Sequence, residues 1–206
     1  MFSWRAMWQH FIEMKGYLAF TTILFLAGIF IGASNTSFEQ MITGQIAGLE
    51  GMVQQINQSS NPGLAMFLFI FFNNAIKSIL IIYLGLFFGI IPLAFILING
   101  MVLGYLFANN PQPQIDLFTL IVKGILPHGI IELPAIIIAG AYGLRFGILS
   151  IKGIGALLVR DRKFGRVFEG FAARTVPLMV WLVVALLAAA IIESTVTVWL
   201  LSTEFG

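Results

Sequence analysis

Long apolar runs alternate with short polar ones along this chain. The first run is Tyr17 to Ile31, with Trp4 and Trp8 upstream, where interfacial anchors sit. Trp4, Met7, Trp8, Phe11 and Ile12 share one helical face, so residues 3–14 read as an interfacial helix or an extension of the first span. Leu64 to Ala108 is too long for one crossing of about 20 residues. It divides near Gly85 to Gly89. A fourth run, Ile115 to Ala141, is also too long and carries Pro127 and Pro134. Proline suits the first turn of a helix but has no N–H to donate inside one. The pattern therefore predicts a broken fourth span, with a short half at 115–126 that could be re-entrant, and a kink at Pro134. The last run starts at Val176. The predicted spans are 17–33, 64–84, 89–108, 115–145 (broken at Pro127) and 176–201, in one membrane domain over 1–206.

The polar stretch between the first two spans has its own period. "TSFE" at Thr36 to Glu39 has capping-box form, and Phe38, Ile42, Ile46, Leu49, Val53 and Ile56 recur at steps of three and four. This predicts an amphipathic helix at 37–58, ended by "NQSSNP". Its apolar stripe is either a docking surface for a partner or packs on the chain's own spans or the bilayer.

Composition fits this pattern. The chain of 206 residues is 59% hydrophobic and 10% charged, with a mean hydropathy of +0.98. The fold class expected is an all-α integral membrane protein with about five transmembrane helices and amphipathic interfacial helices. The first run lacks a small-residue cleavage site and reads as a retained span. Cysteine is absent, which excludes disulfides and thiolate metal sites.

Charge placement gives the orientation. Of 11 lysines and arginines, Arg5 and Lys15 precede the first span. Arg145, Lys152, Arg160, Arg162, Lys163, Arg166 and Arg174 fall around a basic segment at 146–174. Five spans put all of these on one side, and Lys77 and Lys123 lie within apolar runs. The positive-inside rule makes the N-terminus cytoplasmic and the C-terminus extracytoplasmic, with helix 37–58 outside. The basic segment, interleaved with apolar residues, is expected on the anionic inner leaflet. A lipid surface accounts for it, so no nucleic-acid partner is expected.

Polar residues inside the spans are the candidates for function, because a charge at the bilayer centre costs at least about 2.5 kcal/mol. "PHGIIELP" places His128 and Glu132 four residues apart on one helix face. "FNNAIK" places Asn73, Asn74 and Lys77 on another, and "LINGMVLG" joins Asn99 to a small-xxx-small pair, Gly100 and Gly104. One use of these residues is a structural polar network of Asn73, Asn74, Lys77, Asn99, His128 and Glu132. A second is a metal site: imidazole and carboxylate suit zinc, with His128 and Glu132 as ligands and a second copy or water completing the shell. A third is proton or ion passage. The glycine faces near Gly100 and Gly104 could support a homodimer. No HExxH, nucleophile-elbow or P-loop pattern is present, so no catalytic residues and no enzyme are expected.

"LPHGIIELPAIIIAGAYGLRFG" (Leu126 to Gly147) resembles the core signature of the stage II sporulation protein M family. "FNNAIKSILIIYLGLFFGI" and "LINGMVLGYL" resemble its other two blocks, in the expected order. Ile131 departs from the family pattern, standing where an aromatic is expected. The resemblance implies a multispanning protein of the bacterial cytoplasmic membrane. It implies a non-enzymatic scaffold that anchors or localises two peptidoglycan-degrading partners, the stage II sporulation proteins D and P, during engulfment in endospore formation. The alternative from the residues is a small membrane transporter or channel using the intramembrane His, Glu and Lys.

Overall fold

Apolar runs of this length leave the backbone one stable form in lipid, the helix, which satisfies its own N–H and C=O groups. In the computed structural model of the chain every regular element among the described residues is helical. The structure describes residues 4–34, 44, 48, 51–109, 116–161 and 163–205. The elements are α1 (Trp4–Ser34), α2 (Pro62–Leu84), α3 (Ile90–Asn109), a short turn Leu117–Thr119, a π-helical stretch Leu120–Ile125, and α4 (Leu126–Leu158). They continue with α5 (Phe164–Ile192), a second π stretch Glu193–Thr197, and α6 (Val198–Phe205). Among the described residues five helical segments are long and apolar enough to cross a membrane. Side chains on the outside of the bundle are apolar, as at Phe30 (73% exposed) and Phe118 (74%), which suits contact with lipid rather than water.

α1 is continuous from Trp4, which agrees with the reading of residues 3–14 as an extension of the first span rather than a separate interfacial helix. Several elements depart from the sequence expectations. The expected helix at 37–58 lies largely outside the described residues; 51–57 are helical. The break expected at Pro127 is a widening instead. The chain stays helical from Leu117 to Leu158, and the π stretch ends just before Pro127, which takes a place in the first turn of α4. A π turn absorbs a local mismatch without parting the helix, so this segment does not reverse. Pro134 lies inside α4. The basic segment at 146–174 is also not a separate surface element. Nothing after Arg145 stops the helix before Leu158, and α5 begins at Phe164, upstream of the expected Val176. Most basic residues therefore ride on a helical hairpin formed by α4 and α5.

Glycine pairs set the packing. Gly28 of α1 meets Gly100 of α3, and Gly32 lies against the backbone of Met101. A Cβ built on Gly28 would stand 3.1 Å from the Gly100 Cα and 3.2 Å from the Met101 nitrogen. Gly104, in turn, lies against the backbone of Ile29. The glycine face proposed for a dimer is thus occupied within the chain, by α1. A second set joins the α2–α3 turn to α4: Gly85 packs on Gly143, and Gly147 on Gly89. Gly89 has φ +76°, a left-handed conformation that only glycine adopts without strain. These close approaches make α4 the central helix, in contact with α1, α2, α3 and α5.

At the basic end, Phe171 of α5 plugs the core. Its ring lies 4.8 Å from Phe146 and 5.8 Å from Tyr142, and the Arg145 guanidinium sits 4.7 Å from its centroid. Phe171→Ala should cost about 3–5 kcal/mol, because the surrounding helices are held by glycine contacts and cannot close the cavity. The check is the unfolding midpoint in mild detergent; an unchanged midpoint would contradict this packing. At the opposite end Asp116 caps the turn before the π stretch. Its side chain accepts from the Thr119 N–H at 3.0 Å, and hydrogen bonds from Thr119 hold this carboxyl below its usual pKa.

Candidate functional site

His128 and Glu132 are one turn apart on α4, so their side chains leave the helix on the same side. Glu132 stands about midway between Leu117 and the Gly147 contact, deep in the span. The side chains that meet them come from the second π stretch, which follows α5. Thr197 is buried, and its Oγ1 lies 3.4 Å from His128 Nδ1. One ligand atom each from His128, Glu132 and Glu193 fall within 4.8 Å of one another, and all three residues are half-buried. The site is thus a cross-strut between the start of α4 and the far end of α5. Both π stretches border it: Leu120–Ile125 leads into α4, Glu193–Thr197 supplies two of its residues, and the two stretches touch. π-Helical turns recur at functional sites because they re-aim side chains that a regular helix would hold apart.

The other polar residues fall in different places. Asn73 Nδ2 donates to Asn74 Oδ1 at 3.1 Å. Lys77 is exposed and acts on Glu132 electrostatically, without closing an ion pair among the described residues. Asn99 donates to the Phe95 carbonyl of its own helix at 2.8 Å, which satisfies it locally. The six residues of the expected network are therefore not one connected set of hydrogen bonds. His10, the second histidine, is far from His128. It is buried at the basic end, edge-on to Tyr142 at 5.2 Å, beside Glu13 and the Glu13–Arg174 ion pair of 3.1 Å.

Thr197 does not stand out in the sequence, and Glu193 does so only as a carboxylate that Lys77 could neutralise in place of Glu132. Glu193 reads as a span-end residue because "IIESTVT" begins the polar tail of the last apolar run. The helix in fact continues to Phe205. A usable signal was present: Glu193 and Thr197 repeat the four-residue spacing of His128 and Glu132.

Chemically, two carboxylates and an imidazole converge in a low-dielectric setting. Among the described residues neither carboxylate has a hydrogen-bond donor. Such a set can hold a cation between the carboxylates or share protons.

Comparison with known proteins adds the family. A model of the family described as Stage II sporulation protein M matches residues 18–198. No curated protein and no solved structure matches. The matched range takes in all five candidate spans in whole or in large part, together with His128, Glu132 and Glu193. This sporulation-related, multi-pass membrane protein belongs to the stage II sporulation protein M family.

Proposed function

We propose that the chain is a non-enzymatic scaffold of the bacterial cytoplasmic membrane. In this reading it anchors or localises peptidoglycan hydrolases, the stage II sporulation proteins D and P, during engulfment. The family match over residues 18–198 carries this reading. The architecture supports it: the five spans take up most of the chain, which suits a platform more than a self-contained hydrolase. The test is affinity purification of the tagged chain from sporulating cells. Recovery of a peptidoglycan hydrolase is expected; its consistent absence, with the bait intact, would overturn the scaffold role.

The charge asymmetry supports a cytoplasmic N-terminus and an extracytoplasmic C-terminus. The chain has no cysteine, so single cysteines are clean reporters. Ser60→Cys and Ser202→Cys should react with an impermeant maleimide from outside intact cells, and Lys163→Cys, at the tip of the α4–α5 hairpin, should not. The inverse pattern would reverse the orientation.

One observation favours a second reading, a small transporter or channel: ionisable side chains of α4 and the second π stretch converge within segments apolar enough to cross a membrane. Reproducible proton or solute flux in proteoliposomes, lost in Glu132→Gln, would establish it over a scaffold alone. A homodimer also remains an expectation, with an interface elsewhere than Gly100 and Gly104. A monomeric mass in nanodiscs would remove it.

A further inference from the structure

We propose that His128, Glu132 and Glu193 form a resident divalent-metal site, suited to zinc, that pins the start of α4 to the second π stretch. The site is complete within one chain apart from a water. Three observations carry it.

The first is the donor set and its reach. One ligand atom from each residue lies within 4.8 Å of the others. Zinc bonds of about 2.0–2.2 Å in a tetrahedron place ligands about 3.4 Å apart. The difference between the two spacings is about 1.4 Å at most. One imidazole nitrogen and two carboxylate oxygens are ordinary zinc ligands.

The second is charge. Two ionised carboxylates this close repel each other, and lipid gives them no water. Lys77 is exposed and closes no ion pair with them among the described residues. A divalent ion does what a single lysine cannot: with two carboxylates and a neutral imidazole the site has no net charge. The third is the support around the ligands. Thr197 Oγ1 lies 3.4 Å from His128 Nδ1, so a hydroxyl can accept from that ring nitrogen and leave Nε2 free to bind metal. Ring orientation by a hydrogen bond from the other nitrogen is the usual arrangement for a metal-bound histidine. The two π stretches touch each other, and Glu193 opens the second of them.

The site does not depend on the scaffold role, so the two can fail separately. The experiment is elemental analysis of protein purified in mild detergent, stripped with chelator, reloaded with zinc and desalted. About one zinc per chain is expected, falling at least tenfold in Glu193→Gln and in His128→Gln, and unchanged in His10→Gln. A variant that does not fold is replaced by spectroscopy on the wild type. The zinc X-ray absorption edge should show only nitrogen and oxygen neighbours, with one imidazole per metal. Wild type that keeps no zinc after loading, zinc retained in Glu193→Gln, or two imidazoles per metal would each overturn the proposal.

Discussion

Gly104→Leu should leave almost no folded protein. A side chain at Gly104 starts on the carbonyl and Cα of Ile29, and these are backbone atoms of α1 that cannot rotate away. Overpacking a core that can adjust costs about 1–3 kcal/mol. Here α1 must leave α3, and with it go the matching contacts of Gly28 on Gly100 and Gly32 on Met101, so the loss should exceed about 3 kcal/mol. The control is Gly155→Leu: Gly155 is exposed on the α4–α5 hairpin with nothing within 4 Å of an added Cβ, and should be neutral. The measurement is the monodisperse fraction and thermal midpoint in detergent. A Gly104→Leu protein with wild-type yield and midpoint would show that α1 and α3 are not this close.

That contact illustrates what a sequence of this kind discloses. Gly100 and Gly104 are visible as a close-approach motif, but spacing does not say which helix approaches. A second copy and α1 fit equally well until the matching Gly28 and Gly32 are seen on the facing helix. The apolar runs themselves are legible because lipid imposes one requirement on all of them, and five segments able to cross follow directly. Helix ends are less legible. Hydropathy falls at Arg145 and Val176, yet the helices continue to Leu158 and begin at Phe164, because nothing in lipid or water forces a helix to stop where it leaves the membrane. The ordinary cost of a missing N–H makes Pro127 read as a break. The π stretch before it shows how that cost is absorbed locally instead.

The candidate site divides in the same way. His128 and Glu132 stand out because they lie in one apolar run at helical spacing. Their partners Glu193 and Thr197 are more than 60 positions away in sequence, and only the antiparallel placement of α4 against α5 brings them in. Asn99 shows the converse. It is polar and intramembrane, and yet needs no network, because the Phe95 carbonyl of its own helix accepts its proton.

Zinc should raise the thermal midpoint of the wild type, and chelator should lower it again. A ligand that binds only the folded state stabilises it in proportion to RT ln(1 + [L]/Kd), about 2.7 kcal/mol at a hundredfold excess over Kd. The double variant Glu132→Gln/Glu193→Gln should respond to neither treatment. It should also be at least as stable as the metal-free wild type, because two neutral amides carry no charge that lipid disfavours and need no cation beside them. These two outcomes pull in opposite directions. A polar network without metal predicts that the double variant is less stable than wild type whatever the zinc concentration. A metal site predicts that the order of the two proteins reverses on adding zinc, with the wild type above the variant when loaded and at or below it when stripped. Thermal unfolding in nanodiscs, with and without chelator, reads that crossing. Curves that stay parallel would show that the convergence of His128, Glu132 and Glu193 is structural only.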